Sequence, residues 1–183
     1  MSTLPVIVPV AHGSESLETV TIVNLLRRAE IAVQMASIEE ALMIDGTRGI
    51  RFEADVAFDA DAAFAAPLVV LPGGEPGARA LGRHVALIRV LEARKQADRP
   101  IAAICAAPAL VLAAHGLLDG IAATGYPAFR ERLPMWVDEP VVVDGPFTTS
   151  QGPGTAIAFA LALIEQLATK PRRDRVAAGL LVA

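Results

Sequence analysis

Ile101-Ala102-Ala103-Ile104-Cys105-Ala106-Ala107-Pro108 is an uncharged run closed by a cysteine and, three residues later, a proline. A short continuous apolar run reads as a strand buried on both faces, as in a parallel sheet. Pro108 suits the first turn of a following helix, where its missing N–H is not needed. Cys105 is thereby predicted to sit on a sharp strand-to-helix junction, with the helix continuing to about Ala114.

Outward from this junction the same grammar repeats. Residues 68–71 form another apolar run, ended by Pro72-Gly73-Gly74. The β-branched run 6–10 leads into residues 14–30, where Leu17, Val20, Ile22, Val23, Leu25 and Leu26 mark an amphipathic helix. Residues 31–37 read as a strand, 43–52 as a small hairpin beside the main sheet, and 55–66 as a connection with a helical turn. One helix is predicted over 81–97, a strand over 121–124 and a short helix over 127–133. A hairpin follows around Asp144-Gly145-Pro146, then helices over 155–168 and 172–181. Strands alternating with helices, with no repeat or long linker, predict one α/β domain over 1–183 with a mostly parallel sheet covered on both faces.

Composition narrows the function classes. The 183 residues are 54% hydrophobic with a mean hydropathy of +0.48, much of it alanine, which suits close helix-on-sheet packing. The apolar run 101–114 is broken by Pro108 and falls short of the ~18 residues a membrane span requires. Residues 1–10 lack a basic leader segment, so a cytoplasmic location is expected. A net charge of -4 gives no electrostatic reason to expect nucleic acid, and the basic residues 170–175 read as a solvated helix start. One cysteine cannot form an internal disulfide and leaves a free thiol. Neither metal-ligand spacing nor a phosphate-binding loop is present, and no cofactor is expected.

In open α/β sheets ligands bind beyond the carboxyl ends of the strands. Three runs end there with chemically notable residues: Val10 leads to Glu15 and Glu18, Leu71 to Gly73-Gly74, and Ile104 to Cys105. A thiol at a helix start has unpaired N–H groups and the dipole nearby, which predicts a lowered pKa. The N–H groups of Gly74 and Ala106 are candidate oxyanion donors. Glu18 is the candidate proton donor or acceptor, provided burial raises its pKa. Plainer readings stand beside these: Cys105 as a small buried apolar residue, Glu15 and Glu18 as first-turn carboxylates, Gly73-Gly74 as a strand-ending turn, and His12 as a solvated loop residue.

Four segments in order, Glu18-Thr19-Val20, Val69 to Gly74, Ala102 to Pro108, and Ser150-Gln151-Gly152-Pro153-Gly154-Thr155, resemble the ThiJ/PfpI superfamily and its parkinsonism-associated deglycase (DJ-one)/YajL branch. The resemblance implies a flavodoxin-like three-layer α/β/α sandwich, a homodimer, and a reactive cysteine on a strained nucleophile elbow hydrogen-bonded to a protonated glutamate. Residue matching puts those two roles on Cys105 and Glu18, with Gly74 and Ala106 as backbone donors. Glu15, Gly73, Arg28 and Arg48 match residues near the family pocket or dimer interface. Pro153 matches a residue that the partner subunit brings close, and Tyr126 stands where some relatives carry a histidine. The implied function is a cofactor-independent glyoxalase III or protein deglycase acting on methylglyoxal, glyoxal or their early adducts. The alternative is a redox-sensing chaperone whose cysteine is oxidised to the sulfinate. A glutamine amidotransferase needs a late histidine base, and no histidine follows His115.

Overall fold

Short runs of Val, Ile, Leu and Ala become strands here because helices cover both faces of each. β1 (Val6–Val10) is such a run, with every residue buried, and the computed structural model, which describes residues 4–182, continues from it in alternation. Residues 1–3 of the N-terminal stretch read above, and residue 183, lie outside the described residues. After β1 come α1 (Ser16–Arg28), β2 (Val33–Ser37), the hairpin β3 (Met43–Asp45) and β4 (Arg51–Glu53), β5 (Val56–Ala57), α2 (Ala60–Ala65) and β6 (Val69–Leu71). The chain proceeds through α3 (Glu75–Arg83), α4 (Val85–Gln96), β7 (Ile101–Ile104), β8 (Ala122–Ala123), β9 (Met135–Trp136), β10 (Val141–Asp144) and β11 (Phe147–Ser150), and ends with α5 (Ala156–Leu167) and α6 (Lys170–Gly179).

The main sheet has seven strands in the order β10-β11-β7-β6-β1-β2-β5. Every pairing is parallel except β10 with β11. Numbered among themselves, the central strands β1, β2, β6, β7 and β11 run 2-1-3-4-5, the flavodoxin-like order, with its switch point between β1 and β6. α1, α5 and α6 pack together on one face, and α2, α3 and α4 on the other. Among the described residues no helix is long and apolar enough to cross a membrane.

Several elements differ from the sequence reading. The single helix expected over 81–97 is two, because His84 adopts an extended conformation and caps α4 by accepting the Leu87 N–H at 3.2 Å. α3 begins at Glu75, where Pro76 occupies a first-turn position that costs no hydrogen bond. The helix expected after Cys105 is instead a wide π-type turn, Pro108–Leu112, followed by a 3-10 turn, Ala113–His115. The short strands β5 and β9 were not anticipated. The basic stretch does start a helix, capped by Thr169.

One buried charge organises the far end of the sheet. Arg94 is fully buried, and its Nη1 donates to the carbonyls of Ala63, Phe64 and Ala66 while Nη2 donates to Pro100 O. It thereby satisfies the C-terminal carbonyls of α2 and ties them to α4 and the start of β7.

Candidate active site

The loop after β1 turns directly into α1. Glu15 caps that helix, its side chain accepting the Leu17 N–H at 3.3 Å. Glu18, in the first turn, points inward and is fully buried. Its Oε2 accepts the Gly73 N–H at 2.8 Å, so the end of β6 fixes a carboxyl carried by α1. Oε1 is buried without a hydrogen-bond partner, a position that a proton would turn into a donor.

Both glycines after β6 are dictated by close approach. A Cβ on Gly73 would lie 2.5 Å from Cys105 Cβ, 2.6 Å from Glu18 Oε2 and 3.0 Å from Cys105 Sγ. Gly74 has φ 81°, and a Cβ there would strike Gly13 O and lie 2.6 Å from Glu15 N. The loops after β1 and β6 are consequently in backbone contact, sealed by Glu15 N–H donating to Gly73 O at 2.9 Å.

Cys105 has φ 64°, a left-handed conformation that costs a side-chain-bearing residue roughly 1–2 kcal/mol. The backbone is clamped there from two sides: Cys105 N–H donates to Ser150 O at 3.0 Å, and Cys105 O accepts the Tyr126 N–H at 2.7 Å. The result is a strained elbow that holds the thiol 9% exposed.

Electrostatics corrects one sequence expectation. Burial pushes the Cys105 thiol up to about 12, with the charge of a Glu18 carboxylate as the next cause; the N–H groups of Gly74 and Ala106 lower it but do not prevail. The predicted fall does not occur, because desolvation and an adjacent carboxylate outweigh two backbone donors. Burial also pushes Glu18 up, to about 7. Two buried charges side by side are strongly disfavoured, so the pair titrates as a unit, and a thiolate at Cys105 requires Glu18 to hold its proton.

Cys105 opens into a cavity of about 560 Å³ at the carboxyl edge of the sheet. Of the residues singled out from sequence, Glu15, Arg48, Gly74, Ala106, Tyr126 and Pro153 line it with Cys105. Glu18 and Gly73 lie behind the thiol rather than on the wall. Arg28 is not brought to the cavity: it ends α1, donates to Asn24 Oδ1 at 2.7 Å and lines a different groove with Arg172 and Arg175. Pro153 reaches the cavity from its own chain. His12 stays outside, its Nδ1 accepting the Asp45 N–H at 3.0 Å. Among the described residues no group of three or more His, Cys, Asp or Glu side chains is placed to hold a metal ion.

Sequence reasoning missed Thr47, Glu75 and Phe129, which also line the cavity. Thr47 arrives because its N–H donates to Ser14 O at 3.0 Å and its Oγ1 accepts the Ser16 N–H at 3.3 Å. These bonds pin the β3–β4 turn, with Arg48 at φ 58°, to the start of α1.

The family model of the DJ-1/PfpI family matches residues 5–166. The chain belongs to the DJ-1/PfpI family. Among DJ-1 relatives it is 42% identical to Protein DJ-1 homolog A of Arabidopsis thaliana, over 98% of this chain and 47% of that protein. It thus spans about half the length of that relative. It is 39% identical to Protein dj-1beta of Drosophila melanogaster over 97% of this chain and 96% of that one. A Schizosaccharomyces pombe relative named glutathione-independent glyoxalase DJ-1 is 30% identical over 91% of this chain and 93% of that one. The solved structure of oxidized Toxoplasma gondii DJ-1 superposes with a TM-score of 0.93 at 41% identity, covering 99% of this chain and all of that one.

Proposed function

We propose that this chain is a cysteine-dependent enzyme of glyoxalase III or deglycase type, acting on methylglyoxal, glyoxal or their early adducts with amines and thiols and releasing hydroxy acids. The observation that carries this reading is Cys105 at φ 64° opening into the cavity, beside a buried carboxyl that keeps its proton up to about 7. The name of the fission-yeast relative supports it.

In the proposed sequence the Cys105 thiolate, formed with Glu18 protonated, adds to the aldehyde carbon. A C–S bond forms, and the carbonyl electron pair moves to oxygen, facing the N–H groups of Gly74 and Ala106. Glu18 gives its proton to that oxygen, completing the hemithioacetal, and as a carboxylate takes the proton from the former aldehyde carbon and delivers it to the neighbouring one, while the hydroxyl proton passes to the neighbouring oxygen; the first carbon is oxidised to a thioester as the second is reduced to a carbinol. Water cleaves the resulting thioester, giving the hydroxy acid and the free thiol. The sum consumes one water and needs no external oxidant, metal or organic cofactor. The test is lactate formation from methylglyoxal: Cys105→Ala should fall to the uncatalysed rate, and full turnover in that variant would overturn the reading.

A homodimer is part of this proposal. Leu17 and Val20 on α1, with Met43 and Ile50 on the hairpin pinned to it, are each about half exposed, an apolar patch suited to a second copy. Sedimentation at micromolar concentration tests it. Oxidation to a sulfinate is a second reading, favoured by the same N–H pair beside a lone cysteine. Intact mass after mild peroxide reads it directly.

A further inference from the structure

The cavity is far larger than a three-carbon dicarbonyl requires. About 560 Å³ lies in the range of pockets that enclose drug-sized ligands, so something besides the reacting carbonyl has room beside Cys105. Part of the lining is aromatic and apolar: Tyr126, Ala128 and Phe129 come from the segment after β8, Pro76 from α3 and Pro153 from the turn after β11.

The two rings are held rather than loose. Tyr126 and Phe129 pair at 6.5 Å between centroids, tilted by 55°. Their spacing is set by the 3-10 turn Pro127–Arg132, in which Phe129 N–H donates to Tyr126 O at 2.9 Å. Phe129 packs against the core, and the Arg132 guanidinium stands 5.8 Å from its ring centroid, a cation–π distance. Tyr126 is tied to the nucleophile by its N–H bond to Cys105 O, yet it remains 45% exposed. A Cβ on Gly152 would lie 3.4 Å from Tyr126 Cδ2 and 3.9 Å from Cys105 Sγ, so ring and sulfur border the same small space.

We propose that Tyr126 and Phe129 form an aromatic subsite beside Cys105 that selects α-oxoaldehydes, R–CO–CHO, in which R is a flat apolar group of phenyl size. The proposal rests on the reading that Cys105 attacks an aldehyde carbon. The C–S bond forms as already described, and R stays unreacted against the rings. Edge or face contact of one ring with another is worth a few-fold to about tenfold in binding, and burial of the added carbons contributes further. Small dicarbonyls still react, without gaining from the wall.

The test separates this subsite from the enzymatic reading. Two chloroketones, phenacyl chloride and chloroacetone, carry phenyl or methyl as R and alkylate a thiolate with loss of chloride, so their rate ratio at Cys105 reports the R subsite whether or not turnover occurs. The ratio, normalised to a free thiol in solution, is expected to exceed one in the parent chain, to fall at least threefold in Tyr126→Ala and in Phe129→Ala, and to survive in Tyr126→Phe. In parallel, kcat/KM for phenylglyoxal over methylglyoxal should fall by a similar factor. A ratio unchanged in folded Tyr126→Ala and Phe129→Ala overturns the subsite. A ratio that falls in chains lacking all glyoxalase turnover leaves the subsite standing and removes the catalytic reading.

Discussion

The Gly73 N–H donates to Glu18 Oε2 at 2.8 Å, so a carboxyl borne by α1 is set by the end of β6. The same glycine leaves no room for a Cβ between that carboxyl and Cys105. Gly73→Ala should therefore lose about 2 kcal/mol of stability through overpacking and slow Cys105 alkylation together. Urea denaturation and labelling kinetics on one preparation check both.

Glu18 couples stability to pH. Its folded value, about 7, lies above the ordinary carboxyl value of 4.5, so between these values the native state binds more protons than the unfolded chain. Stability is fully present below about 4.5 and is lost as pH rises through 7, by on the order of 3 kcal/mol. Glu18→Gln, which cannot titrate, should flatten that slope. Denaturation midpoints at pH 5 and 7.5 measure it, and parallel slopes in the two proteins would contradict the assignment.

The left-handed backbone at Cys105 predicts an order among its substitutions. Glycine relieves the strain of φ 64° but adds freedom to the unfolded chain, whereas alanine keeps the strain. Cys105→Gly should be more stable than Cys105→Ala by roughly 0.5–1 kcal/mol. Thermal unfolding of the two variants ranks them.

Arg94 predicts a large effect far from the site. Arg94→Met leaves the carbonyls of Ala63, Phe64, Ala66 and Pro100, all now bonded to the guanidinium, without that partner. The expected loss is about 3 kcal/mol or more, measured by chemical denaturation.

How much was legible before the structure follows from where each signal is stored. β1, β6 and β7 were readable because strands buried on both faces are continuous apolar runs, and their carboxyl ends meet once the sheet is parallel. That brought Glu18, Gly73, Gly74 and Cys105 together. α3 was hidden because Glu75-Pro76-Gly77 looks like a turn until Pro76 is seen in a first helical turn. β5 and β9, two residues each, are too short for a period. Thr47 enters the cavity through its hydrogen bonds to Ser14 and Ser16, and Phe129 because the Tyr126 N–H bond to Cys105 O anchors the turn that carries it; no spacing in the sequence encodes either. The thiol's pKa was read with the wrong sign because sequence announces the helix start but not the depth of burial.

The coupling of Cys105 to Glu18 is the central claim, and the pH dependence of Cys105 alkylation by chloroacetamide tests it most directly, in the parent chain and in Glu18→Leu. The parent should show a rise near pH 7, where the shared proton first leaves the pair, and a second rise far above it. Glu18→Leu should lose the rise near 7 and keep a single one at higher pH. Identical profiles in the two proteins, or one rise in the parent at the ordinary thiol value of ~8.5, would contradict the coupled site.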